Sequence, residues 1–310
     1  MGLFDKIKEP IFLKDDSDAE QQFAVLQEFR KAATGEWANK LDDEIRRVDA
    51  GIFGEKVVRY ELENSHIPMF VLHDLYLEHE GLTSQIDYLI VTRKHCFVVE
   101  CKNLYGNIEI NSAGDFTRTI SYGRSTKKEG IYSPITQNRR HLELIKEIRS
   151  AEIGNIFLKA IFERYFYDTY RSIVVLANPK TVLYDRYAKK EVKSQVIKAD
   201  QLAQYIRRID SEPNAVSMSE KDMEAMAHFF LQIHKQPNID YTEKFKAALE
   251  DACPTATETE NKEQAKATEI LCPKCGAVMV LRKASKGPNA GKEFYGCSNY
   301  PRCRSIINIQ

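Results

Sequence analysis

The sequence has no excess of charge of either sign: 45 Lys and Arg stand against 45 Asp and Glu, and the formal net charge is zero. That excludes a chain-wide surface for polyanions, so any contact with nucleic acid has to be local. No stretch approaches the run of about 18 apolar residues that a membrane span requires, and no membrane association is expected. The first residues, Met1-Gly2-Leu3-Phe4-Asp5-Lys6, lack the apolar centre of a secretory leader. Lys6 stands where N-myristoylation wants Ser or Thr. From Pro254 to Thr268 hardly an apolar residue occurs, and Thr, Glu, Lys, Ala and Gln dominate. Such a segment cannot bury enough surface to fold, and residues 253–269 read as a flexible linker. Cysteine is scarce too. Of seven, Cys272, Cys275, Cys297 and Cys303 have metal spacing, which suits a reducing, cytoplasmic setting better than a disulfide framework.

The chain centres on two apolar, β-branched runs, Gln85-Ile86-Asp87-Tyr88-Leu89-Ile90-Val91 and Phe97-Val98-Val99-Glu100-Cys101-Lys102-Asn103, both of which read as strands. A turn at Arg93-Lys94 pairs Thr92 with His95 and sets Asp87 opposite Glu100. A turn at Lys94-His95 sets Asp87 opposite Lys102, with Glu100 diagonal. Either register keeps Asp87, Glu100 and Lys102 on one face. Carboxylates directly opposite, with Cβ atoms about 4.5–5.5 Å apart, repel. A hard divalent cation with oxygen ligands offsets that repulsion, and the Lys102 ammonium can hold a water or a developing oxyanion. Glu-x-Lys in a strand is commonly no more than a solvated face. Here the flanks are apolar on both faces, as in a central strand, where charges need partners or a task.

Around this pair the rest falls into place in chain order. Residues 1–18 are charged and read as a loosely held arm. A helix starts at Ser17 or Asp18, is interrupted at Gly35, and gives way to a second helical stretch through Leu41, Ile45 and Val48 toward Ala50. These helices can pack on the domain, pair with a second copy or meet a protein partner. Gly51 to Glu55 opens a further helix through Leu62, and Met69–Tyr76 reads as the first strand. Residues 122–132 read as a basic loop carrying Arg124, Lys127 and Lys128. Ser133-Pro134 is a helix start, with Ser as cap and Pro at the first position, and Gln137 and His141 then share a face one turn apart. Residues 156–170 fit helix or strand. Ser172–Ala177 is a buried strand, Gln195–Ile197 a short one, and Asp200 can cap a helix. Ser219 to Asp222 forms a capping box ahead of a core stripe of Met223, Met226, Phe230 and Ile233. Strands alternating with helices indicate an α/β layer.

Glu55, Gln85-Ile86-Asp87, Val99-Glu100-Cys101-Lys102-Asn103, Gly106 and Ser133-Pro134-Ile135-Thr136-Gln137-Asn138 together resemble the nuclease-related domain (NERD) family, over roughly residues 45–180. That family is similar to the PD-(D/E)XK nuclease superfamily. The resemblance implies an α/β (α+β) restriction-endonuclease-like core of α-β-β-β-α-β order, with a mixed central sheet flanked by helices. It also implies roles. Asp87 and Glu100 would bind Mg²⁺ or Mn²⁺, Glu55 would complete the metal shell from the first core helix, Lys102 would stabilise the attacking water and the charged intermediate, and Gln137 would orient water or substrate backbone. Read from the residues alone, Glu55 serves equally well as a first-turn acid facing the helix dipole, and Gln137 as a cap of its own helix.

At the C-terminus Cys272-Pro273-Lys274-Cys275 and Cys297-x5-Cys303 offer four thiolates in two knuckles. A segment this short cannot build an adequate core, and tetrahedral zinc supplies the missing stability. With four Cys ligands no position is open to water, so this Zn²⁺ is structural. The stretch resembles the zinc-ribbon repeats of bacterial type IA topoisomerases, through Cys-Pro-x-Cys-Gly, Met279-Val280-Leu281-Arg282, Phe294-Tyr295-Gly296-Cys297-Ser298 and Tyr300-Pro301-x-Cys303, which implies binding of single-stranded DNA. From Lys266 onward eight basic residues face two acidic ones, a local net of +6. Arg282, Lys283, Lys292, Arg302 and Arg304 interleave with aromatics that can stack bases. Phe294 reads as part of the ribbon's own core, and Tyr295 and Tyr300 as the stacking residues.

The expected organisation is an N-terminal helical arm (1–50), a nuclease-like domain with a helical extension (51–252), the linker (253–269) and a zinc ribbon (270–310). The leading reading is a metal-dependent DNA nuclease whose ribbon tethers the substrate. An inert nuclease-like DNA-binding scaffold, or RNA as target, are the competing readings.

Overall fold

The structure, a computed structural model, describes residues 7–213, 216–237, 242–243, 245, 272–283 and 293–308. The expected linker, Lys292 and the first six residues of the arm lie outside the described residues. The chain divides into two units, Met1–Thr242 and Glu243–Gln310.

The larger unit is built on a mixed six-stranded sheet. Its strands are β1 (Ile11–Lys14), β2 (Phe70–His79), β3 (Leu82–Val91), β4 (Cys96–Lys102), β8 (Tyr170–Leu176) and β10 (Val196–Lys198), in that spatial order. β2, β3 and β4 are antiparallel neighbours, whereas β1 on β2, β8 on β4 and β10 on β8 are parallel. Both faces are covered, which explains the unbroken apolar runs of the central strands. One face packs Leu75, Leu89, Val91 and Val98 against α3 (Pro134–Ala151), α4 (Ile156–Thr169) and α7 (Glu220–Ile233). The other packs Tyr88, Ile90, Phe97, Val99 and Ile173 against α2 (Gly35–Glu63) and α6 (Leu202–Asp210). A second, four-stranded sheet joins β7 (Ser125–Ile131), β6 (Phe116–Tyr122), β5 (Asn107–Ile110) and β9 (Val182–Tyr184), and a short helix, α5 (Lys190–Lys193), precedes β10.

Some local expectations are met and others are corrected. The arm contains a strand, β1, hydrogen-bonded alongside β2. α1 (Asp18–Ala32) is capped by Ser17, whose side chain accepts from the N–H of Ala19. The two helical stretches expected on either side of Gly51 are one helix, α2, because Val58 and Leu62 at its far end bury against the sheet and carry it through the glycines. The basic loop at 122–132 is mostly strand β7, with Lys128 on Glu109 at 3.1 Å and Lys127 on Glu129 at 2.8 Å. Residues 156–170 are helix except for Tyr170, which opens β8. The capping box at Ser219 forms in both directions with Asp222.

The smaller unit is an antiparallel three-stranded ribbon of β11 (Met279–Lys283), β12 (Glu293–Cys297) and β13 (Ile306–Asn308). No helix among the described residues is long and apolar enough to cross a membrane.

Candidate active site and zinc centre

Tyr88 pairs with Val99 and Val91 with Cys96, so the turn is Arg93-Lys94, the register that, carried one residue further, sets Asp87 opposite Glu100. The β3–β4 pairing ends at Tyr88 and Val99, although both strands continue. Below that point β3 stays with β2 while β4 stays with β8. Had the ladder run on, the alternation of antiparallel bonds would have paired Cys101 with Ile86. Instead the Cys101 N–H donates to Asp87 Oδ2 at 2.6 Å. The Asp87 carboxylate thus occupies the split between two central strands.

Glu100 is 1% exposed, and each of its oxygens has a partner. Oε1 lies 2.5 Å from Lys102 Nζ, and Oε2 lies 3.2 Å from His141 Nε2. The other ring nitrogen of His141, Nδ1, meets the Ser84 hydroxyl. Burial opposes the Lys102 charge, but Glu100 and Asp87 outweigh it and hold its pKa above the ordinary value, so the ammonium stays charged. Burial, with Glu100 and Glu55 close by, pushes the Asp87 carboxyl well above its usual range.

Glu55 is carried on α2, twenty residues beyond the helix start at Gly35, so the reading of a first-turn acid facing the dipole does not hold. Gly54 lets the helix approach: a Cβ there would sit 2.8 Å from Asn103 Cβ and 3.3 Å from Cys101 Sγ. Asn103 fastens the contact by donating to the Ala50 carbonyl at 2.7 Å. Glu55 itself is held by His73 Nε2 at 2.9 Å, and its backbone carbonyl accepts from the Tyr88 hydroxyl at 2.9 Å. The His73 ring stacks on Tyr88 with centroids 4.5 Å apart.

Gln137 sits half-buried in the first turns of α3, and its side chain has no hydrogen-bond partner among the described residues. The residue that touches Glu100 is His141, one turn further on. Asn138, fully buried, pins α3 to the sheet by donating to the carbonyls of Val98 and Ile173 and to the Ser172 hydroxyl. Ser84 and His73 were not singled out in the sequence. Ser84 lies in a run with no motif, and the only signal for His73 is a polar residue inside an apolar strand.

The donor set around the split is carboxylate oxygen, the kind that suits Mg²⁺ or Mn²⁺. Burial raises Asp87 most, and Glu100 and Glu55 add to it; the negative charge of these neighbours is what a divalent cation would neutralise. Among the described residues, though, the group of His, Cys, Asp and Glu atoms that converges tightly is the cysteine cluster. There Cys272, Cys275, Cys297 and Cys303 hold their sulfurs within 4.8 Å of one another. The Cys272–Cys303 and Cys275–Cys297 pairs are 3.7 and 3.4 Å apart, near the roughly 3.8 Å edge of a tetrahedron with 2.3 Å Zn–S bonds. Burial raises the Cys272 thiol, but backbone N–H groups of Lys274 and Cys275 and the Ser305 hydroxyl bring it down to about 6. Burial and the neighbouring thiols push Cys297 up to about 12. Four thiolates cannot coexist there without a cation, and Zn²⁺ fits the site.

On β12 the side chains alternate. Tyr295 packs with Ile307 against the cysteines, while Phe294 faces the other way, paired with Arg282. This inverts the expected assignment of Phe294 to the core and Tyr295 to stacking. The Phe294 face carries a groove of about 480 Å³ lined by Arg282, Lys283, Phe294, Tyr300, Arg304 and Ile306. Tyr300 is 59% exposed, with the Arg282 guanidinium 5.9 Å from its ring centre. Arg302 is exposed.

Comparison with known proteins agrees with both units. Residues 50–177 match the nuclease-related domain (NERD) family, and residues 269–310 match the topoisomerase DNA binding C4 zinc finger family. DNA topoisomerase 1 of Methanocaldococcus jannaschii is 46% identical over 41 residues, 13% of this chain and 5% of that protein. An uncharacterized protein of Bacillus anthracis is 28% identical over 147 residues, 46% of this chain and 66% of that protein. The chain therefore spans a small part of the first relative and just under two thirds of the second. No solved structure matches.

Proposed function

We propose, for a chain that carries a nuclease-related domain and a topoisomerase-type C4 zinc ribbon, that it is a metal-dependent nuclease hydrolysing phosphodiester bonds of DNA. The observation that carries this reading is the Glu100–Lys102 pair on a buried strand beside Asp87, at the point where β3 and β4 part. Asp87 and Glu100, with Glu55 from α2, would hold Mg²⁺ or Mn²⁺. Bound there, the cation lowers the pKa of water and neutralises charge on the phosphate.

The protein's own groups do the rest. Lys102, kept charged by its acidic neighbours, faces the incoming water and the extra charge that builds on the phosphate oxygens. Asp87 is fixed by the Cys101 N–H and so presents its carboxylate in one orientation. Gln137 is free to swing toward water or the scissile strand. Water oxygen bonds to phosphorus as its proton passes to solvent, the P–O ester bond breaks, and the departing oxygen collects a proton from solvent. The ribbon, folded around structural Zn²⁺, would hold DNA, single-stranded by preference, through Arg282, Lys283, Phe294, Tyr300, Arg302 and Arg304. Residues 253–269 would act as the tether that raises local DNA concentration. Free thiols at Cys96 and Cys101 are in keeping with a reducing, cytoplasmic setting.

One observation favours a second reading, an inert nuclease-like scaffold: Glu55 is engaged by His73 and does not converge with the other acids. A single experiment separates the two. Purified protein is incubated with labelled single- and double-stranded DNA in Mg²⁺, Mn²⁺ or EDTA, beside Asp87→Ala and Lys102→Ala. Metal-dependent cutting lost in both variants supports the nuclease; binding without cutting in any condition supports the scaffold.

A further inference from the structure

Ser84, His141 and Glu100 form a buried polar chain behind the candidate site. Its members come from β3, α3 and β4, and they are 6%, 7% and 1% exposed. They lie on the face where α3 packs Leu142 and Ile145 against the sheet. Apolar residues would satisfy that packing, and polar groups are retained in such a place only if they satisfy one another. Here they do. A carboxylate can only accept, so His141 Nε2 carries the hydrogen and donates to Glu100 at 3.2 Å. In the neutral ring Nδ1 is then an acceptor, and the Ser84 O–H donates to it.

His141 is not placed for direct chemistry. As a metal ligand it would need a free ring nitrogen, and both are engaged. As a base on water it would need Nε2 unprotonated and facing solvent, whereas Nε2 faces a buried carboxylate. As the centre of a nucleophilic triad it would need an accessible serine, and Ser84 is enclosed. What the geometry does provide is restraint. Lys102 on Oε1 and His141 on Oε2 fix the plane of the Glu100 carboxylate from two sides and leave each oxygen a lone pair.

We propose that Ser84 and His141 form a brace: Ser84 sets the tautomer of His141, and His141 holds Glu100 in the orientation that receives the divalent cation. His141 is thus a positioning residue, and the inference rests on the nuclease reading above. Such supporting partners typically change metal affinity 10–100-fold.

The test uses the full-length, zinc-loaded chain and Mn²⁺ alone as probe, titrated calorimetrically into wild type, Ser84→Ala, His141→Ala, His141→Gln and Asp87→Ala, with melting temperatures recorded for each. Gln carries an N–H at about the reach of His Nε2. The expected result is Mn²⁺ affinity about tenfold or more weaker in His141→Ala, weaker in Ser84→Ala, and restored in part by His141→Gln. The Mn²⁺ concentration for half-maximal cleavage should shift in parallel, while KM for DNA is unchanged. Wild-type affinity in both alanine variants overturns the brace and leaves the nuclease reading standing. If His141→Ala does not fold, Ser84→Ala decides: unchanged Mn²⁺ affinity overturns the proposal. Mn²⁺ binding that is the same in wild type and Asp87→Ala, with no cleavage, overturns the nuclease reading itself and the brace with it.

Discussion

Asp87 takes the backbone N–H of Cys101 at 2.6 Å, in place of the carbonyl that a continued β3–β4 ladder would have supplied. One side chain thereby caps an unpaired strand donor and brings a negative charge beside Glu100.

That position has a pH signature. Burial, then Glu100 and Glu55, raise the Asp87 carboxyl well above its usual value. A carboxyl raised on folding favours the native state below its unfolded-state pKa, and this contribution is lost as pH rises through the folded value. In metal-free protein near about pH 7.5, ionised Asp87 therefore costs stability. Asp87→Asn, which keeps an oxygen for Cys101, should melt higher than wild type there, with the gain shrinking toward about pH 4. Mg²⁺ should raise the melting temperature of wild type and leave the variant unmoved. A variant that melts lower at neutral pH would contradict this account.

Gly54 sets how closely α2 approaches β4. A Cβ at 2.8 Å from Asn103 Cβ has no flexible neighbour to displace. Gly54→Ala should cost about 1–3 kcal/mol by overpacking, read from urea unfolding. It should also move Glu55 and weaken the contact with His73, visible in the His73 ring resonances. A neutral variant would mean that the helix slides freely over the strand.

Asn138 joins α3 to two strands at once through Val98, Ser172 and Ile173. Asn138→Ala should lose about 1–3 kcal/mol, while Asn155→Ala, at the exposed start of α4 where the side chain caps Phe157 and Leu158, should lose about 1 kcal/mol. Equilibrium denaturation of the pair tests the order. Equal losses would show that the Asn138 bonds are replaced by water.

Zinc should be stoichiometric and structural. Wild type is expected to carry about one zinc ion per chain, and Cys297→Ser to lose it. The ribbon's amide resonances should then collapse while those of β2–β4 keep their positions. Retained zinc in Cys297→Ser would point to a different ligand set.

Much of this was legible in residue order. The strands around Asp87 and Glu100, the Ser133-Pro134 helix start and the Ser219 capping box announce themselves through period, β-branching and cap chemistry, all of them local. The cysteine knuckles do so by spacing alone. Local rules misread α2, because Gly51 and Gly54 look like punctuation until Val58 and Leu62 are seen to bury on the sheet. They misread β7, where Lys128 reaches Glu109 on β5 and Glu129 takes Arg118 from β6, so that its charges are partnered from other strands. They also misassigned Phe294 and Tyr295, since alternation orders the two sides of a strand without saying which side meets the metal cluster.

The candidate site divides in the same way. That Glu100 and Lys102 share a face follows from the two-residue repeat of a strand; Asp87 is expected with them in either register, and in the structure its carboxylate turns to the Cys101 N–H between the strands. That the turn falls at Arg93-Lys94, that the ladder opens before Asp87 and Glu100, that His73 claims Glu55 and that His141 with Ser84 backs Glu100 were decided only by the tertiary structure. The physical reason is that hydrogen bonds between side chains tens of residues apart depend on how helices seat on a sheet, and no sequence period encodes that.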